Sequence, residues 1–121
     1  MVRDWLSAML SGRQPTWPFA DDIADESISN AANAEGVIAL LHERISAADP
    51  SSGIPASFQT HIAQRARVKA QQCLMREAEC RRLLVRLEQA DIQVLLLKGS
   101  ALAYWAYPSA HLLDCSDIDL L

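Results

Sequence analysis

No stretch of this chain stays apolar for the ~18 residues that a membrane-spanning helix needs. The N-terminus, "MVRDWLSAMLSGRQP", lacks the long apolar region of a signal peptide, because Asp4 breaks its one short apolar stretch. Both absences lead to the expectation of a cytoplasmic protein outside the membrane. Cysteine is scarce: Cys73, Cys80 and Cys115 are odd in number and show no CxxC spacing. That pattern fits reduced thiols and excludes a disulfide scaffold. There is no excess of basic charge either. Eleven Lys and Arg against fifteen Asp and Glu leave a net charge of -4, which argues against a protein built to coat nucleic acid or an anionic membrane. Internal repeats and low-complexity tracts are also missing.

What is present is ordinary globular material. Of 121 residues, 50% are hydrophobic and 21% charged, enough for one core. Val2 to Ser11 places Trp5, Leu6, Met9 and Leu10 at helical spacing, with Gly12 as the stop. "RQPTWPFADD" is a two-proline connector whose Trp17 and Phe19 are expected to plug an apolar groove. Asp25 to Ala48 reads as helix with Ile28, Val37, Ile38, Leu41 and Ile45 as its buried stripe, and Gly36 is placed to divide it. "ADPSSGIPAS" is a loop. Ser57 to Ala90 holds no Pro or Gly, which predicts one helix of roughly 50 Å. Seven of the eleven basic residues fall there, interleaved with Glu77, Glu79 and Glu88, as on a solvated face. Cys73 and Cys80, seven residues apart, are expected to share a buried face of that helix.

After "EQADI" the character changes. "IQVLLLK" is a short, β-rich apolar run that reads as a buried strand. Gly99 and Ser100 follow, then "ALAYWAY" with the length of a short helix, stopped by Pro108. "SAHLLDCS" is a loop, and "DIDLL" begins a second strand. The fold class expected is therefore α+β and mostly α-helical: a helical region over residues 1–90, then a strand–helix–strand start of an α/β core over 91–121.

Side chains alternate along a strand, so Asp117 and Asp119 share a face while Ile118 and Leu120 face the core. Two adjacent carboxylates repel unless a cation lies between them, and Mg²⁺ prefers such oxygen ligands together with substrate phosphates. Upstream, Gly99 lets backbone approach a ligand and Ser100 can cap the helix that follows. The N–H groups of that helix start suit a phosphate, and Lys98 can add a charged contact. A phosphate seat followed by a metal-binding Asp-x-Asp is what nucleoside-triphosphate chemistry requires. The bland alternatives are a water-facing carboxylate pair, a simple helix cap and a snorkelling lysine. Tyr104, Trp105 and Tyr107 fit a helix packed on a sheet. His42, His61 and His111 read as surface or internally satisfied histidines, and Asp114 as a loop cap.

The run "LLLKGSALAYWAYPSAHLLDCSDIDLL" resembles the opening of the polymerase-β-like nucleotidyltransferase fold. Within it, the run is similar to the uncharacterised nucleotidyltransferase family with its KG-x-ALA … YP … DIDLL pattern, which also carries helices upstream. The close motif match covers Leu95 to Leu121. The resemblance implies that Gly99 and Ser100, aided by Lys98, hold phosphate, and that Asp117 and Asp119 are catalytic carboxylates binding Mg²⁺. It further implies a nucleoside triphosphate as substrate and transfer of a nucleoside monophosphate to a hydroxyl or phosphate acceptor of unknown identity. Two departures stand out. Leu113 occupies the loop position where the family usually has Arg, and the third carboxylate of the superfamily belongs to a later strand. The expectation is thus a truncated chain, 91–121 being an incomplete core, that is inactive alone.

A competing reading is a non-catalytic helical interaction module with a vestigial nucleotide site. It would form a homo-oligomer through the long helix or through the open strand edge. Nucleic-acid binding through the arginine-rich helix is disfavoured by the interleaved acids and by the acidic chain.

Overall fold

The computed structural model describes residues 1–20, 23–97 and 119–120. The chain divides into two compact units, Met1–Arg67 and Val68–Leu121. The coarse expectation of a mostly helical protein holds.

In the first unit, α1 (Val2–Leu10) buries Trp5, Leu6 and Met9, the three apolar positions that helical spacing puts on one face. It stops where Gly12 turns left-handed at φ 85°. The Gly12 N–H donates to Met9 O at 3.2 Å and the Arg13 N–H to Ala8 O at 3.1 Å, a Schellman cap that satisfies carbonyls the helix leaves open. Gly36 repeats the device at φ 68°, its N–H donating to Asn33 O and that of Val37 to Ala32 O. The expected division at Gly36 is therefore a helix cap, separating α2 (Ile23–Ala34) from α3 (Ile38–Ser46).

A 3₁₀ turn, Pro50–Ser52, follows α3, with Asp49 accepting the Ser51 N–H at 2.8 Å. The connector is tied to this turn, because the Trp17 N–H donates to Ser52 O at 2.8 Å. Trp17 and Phe19 both pack against the core. The Trp17 ring lies 5.2 Å from Trp5, near-perpendicular to it, and 4.9 Å from Phe58, separations typical of favourable aromatic pairs. The core is built from α1, α2, α3 and the first turns of α4 (Ala56–Gln89); Ile28, Leu41, Phe58 and Ile62 are all fully buried. Of the expected stripe, Ile28, Ile38, Leu41 and Ile45 are buried, and Val37 is half-buried at the rim.

The second unit contains the rest of α4, where Cys73 and Cys80 are both buried, as two residues seven apart on one helix face should be together. Arg81 donates to Glu77 Oε1 at 2.8 Å, a Glu-to-Arg spacing of four that adds a few tenths of a kcal/mol to a helix. The helix closes with a third Schellman cap. Here Asp91 N–H donates to Glu88 O and Ile92 N–H to Leu87 O, and Asp91 itself is left-handed at φ 58°.

Beyond the cap the structure corrects one expectation. Among the described residues of "IQVLLLK", 92–95 are not strand, β1 covers Leu96–Leu97, and Ile92 and Leu95 are more than half exposed. The Ile92 N–H belongs to the helix cap, and strand pairing needs a neighbour, which β2 (Asp119–Leu120) provides at Leu96 and Leu97. β1 and β2 form an antiparallel two-stranded pair. The expected helix at "ALAYWAY" and its stop at Pro108 lie outside the described residues. Among the described residues no helix is long and apolar enough to cross a membrane.

Candidate functional site

The two strands bring two distant parts of the sequence into register. Leu96 stands opposite Leu120, and Leu97 opposite Asp119. Leu97 is the residue that precedes Lys98, Gly99 and Ser100 in the sequence, so the backbone register sets Asp119 opposite the residue before the expected phosphate turn. Lys98, Gly99, Ser100 and Asp117 lie outside the described residues, as do Leu113, Asp114, His111, Cys115 and the Tyr104, Trp105, Tyr107 group. Among the described residues no three His, Cys, Asp or Glu side chains converge as a metal cluster. A cleft of about 160 Å³ between the end of α3 and the 3₁₀ turn is lined by Ile45, Ser46, Asp49 and Gln59 among others. It is smaller than the roughly 300 Å³ at which small-molecule pockets begin, and too small for a nucleotide.

Among the described residues, two ionisable groups are shifted from their ordinary values. The Asp49 carboxyl is held below its ordinary range by the Ser51 backbone N–H and then by the Ser51 hydroxyl. Burial pushes the Cys80 thiol up, with nearby Arg76 opposing and Glu77 assisting, so it is a structural thiol and a poor nucleophile.

One polar cluster was not expected from the sequence. Ser29 on α2 is fully buried, and Arg65 Nη1 on α4 donates to its hydroxyl oxygen at 2.7 Å. His61 Nε2, one turn earlier on α4, is 3.2 Å from the same oxygen. His61 and Arg65 read from sequence as a scattered histidine and one of many surface arginines. Their i, i+4 spacing puts them on one helix face, and Ser29 sits beside Ile28 in the apolar stripe; those were the available signals. His42 makes only a local contact, its Nε2 lying 3.5 Å from the Ser46 hydroxyl.

The profile of the uncharacterised nucleotidyltransferase family matches residues 21–121. The chain belongs to that family. The matched region runs from α2 through the Lys98-Gly99-Ser100 segment to the Asp117-x-Asp119 segment, so the nucleotidyltransferase assignment and the helical part upstream fall within one match. No curated protein and no solved structure matches the chain.

Proposed function

We propose that this nucleotidyltransferase-family protein binds a nucleoside triphosphate with Mg²⁺ and serves transfer of a nucleoside monophosphate to a hydroxyl or phosphate acceptor. The observation that carries the reading is the register of Leu97 with Asp119 in a chain whose family match spans residues 21–121.

The donor set suits the metal: two hard carboxylates, Asp117 and Asp119, are what Mg²⁺ accepts beside phosphate oxygens. When bound, the ion neutralises phosphate charge and draws electron density from the reacting phosphorus. Gly99 and the N–H groups after it hold phosphate oxygens, Ser100 adds its hydroxyl and Lys98 its ammonium. The acceptor oxygen attacks the α-phosphorus, a hydroxyl acceptor releasing its proton to water, while the bond to the bridging oxygen of the β-phosphate breaks and that electron pair leaves with pyrophosphate. Catalysis rests on positioning and charge stabilisation. In domain terms, residues 1–90 are the helical region and 91–121 part of the transferase core, in a cytoplasmic protein.

A second reading has its own observation. Val68, Leu74, Met75 and Val85 on α4 are all at least half exposed, which favours self-association of a helical module through α4 or through the strand edge.

Titration calorimetry of the chain with ATP, GTP, CTP and UTP, each with and without Mg²⁺, tests the first reading. Metal-dependent binding that is lost in Asp117→Ala is the expected result. Equal heats with and without Mg²⁺ would remove the metal assignment. A dimer mass by size exclusion that ignores Mg²⁺–ATP, with no nucleotide heat, would favour the helical module.

A further inference from the structure

We propose that Ser29, His61 and Arg65 form a phosphate-binding site in the helical unit, independent of the nucleotidyl-transfer reading. A guanidinium is charged at every accessible pH, only donates, and carries five N–H groups in a rigid fork. Arg65 is half-buried, yet its one hydrogen bond among the described residues goes to a neutral hydroxyl, Ser29 Oγ. It forms no ion pair among the described residues, although Asp25 and Glu26 lie one turn before Ser29 on the same helix. A partly desolvated cation without a counter-ion is costly unless an anion completes it.

The neighbours are arranged for that anion. Because Arg65 can only donate, the Ser29 oxygen accepts from it, and the hydroxyl hydrogen is then available to His61 Nε2 at 3.2 Å. The fully buried Ser29 therefore orients both side chains at once, and most of the Arg65 fork and the second nitrogen of His61 have no partner among the described residues. An arginine fork and an imidazole one helical turn apart, both held on one buried hydroxyl, are neighbouring groups with donors left for phosphate oxygens. Preorganisation by Ser29 lowers the ordering cost on binding.

The test is a titration of the full chain with inorganic phosphate at constant ionic strength, made up with sodium chloride, following the histidine rings by ¹H–¹⁵N NMR. Saturable displacement of the His61 ring, with His42 unmoved, is expected. Arg65→Gln should weaken the phosphate response about ten- to hundredfold, the range set by losing a charged hydrogen-bonding group. Arg67→Gln, which removes the same charge from an exposed neighbour, should leave it unchanged. A His61 ring that does not respond in the unaltered chain overturns the proposal whatever the variants do. Equal weakening in Arg65→Gln and Arg67→Gln also overturns it, since general charge attraction would then explain the response.

Discussion

Leu97 on β1 stands directly opposite Asp119 on β2. Twenty-one residues separate them in the chain, and the strand pair is what aligns the carboxylate-bearing segment with the residue leading into Lys98-Gly99-Ser100. A reaction that needs phosphate held at one segment and metal held at the other depends on that register, since slipping an antiparallel pair by one residue turns every side chain to the opposite face.

Asp119→Ala should therefore abolish Mg²⁺-dependent nucleotide binding while leaving the helical unit folded. Calorimetry reads the first and far-ultraviolet circular dichroism the second. Unchanged, metal-dependent heats in the variant would show that Asp119 is not a ligand.

Asp91 ends α4 in the left-handed region, at φ 58°, where Gly12 and Gly36 do the same work without a β-carbon. Asp91→Gly should stabilise the protein by about 0.5 kcal/mol, and Asp91→Ala should destabilise it by about 1 kcal/mol. Urea midpoints of the three proteins check both signs.

Phe58 is fully buried and packs against the rings of Trp5 and Trp17. Removing its ring in Phe58→Ala should cost about 3–5 kcal/mol, a large share of the ~5–15 kcal/mol that holds a domain together. Loss of the cooperative transition near room temperature, read by tryptophan fluorescence, is the expected result.

Asp49 supplies a pH-dependent contribution. Its carboxyl is held below the ordinary 3.8 by the Ser51 N–H and hydroxyl, so the folded state favours the charged form. The stabilisation is complete above the ordinary value and is lost as pH falls through the lower folded value. Asp49→Asn should flatten that acid limb by lowering stability near neutrality while leaving stability at the acid end little changed, which melting curves from acid to neutral pH will show.

Much of the helical part was legible because its signals are local. The four helices among the described residues follow from apolar spacing, from the stops at Gly12 and Gly36, and from the absence of Pro and Gly between Ser57 and Ala90. Asp91 was less visible, because it takes a backbone conformation for which glycine is the usual marker. Beyond that cap the apolar run is unpaired until Leu96, because strand character needs a neighbouring strand as well as β propensity.

The segments on which the family resemblance rests, Lys98-Gly99-Ser100 and Asp117-x-Asp119, stand in the sequence itself, because a resemblance of this kind depends on residue type and short spacing. The sequence by itself thus determined the helical character, the helix stops and the family to which the chain belongs. Tertiary structure alone decided that Trp5, Trp17, Phe19 and Phe58 meet in one aromatic cluster, that Leu97 faces Asp119, and that Ser29 receives Arg65 beside His61. Those partners lie many residues apart, and only the packing of one element on another brings them within contact distance.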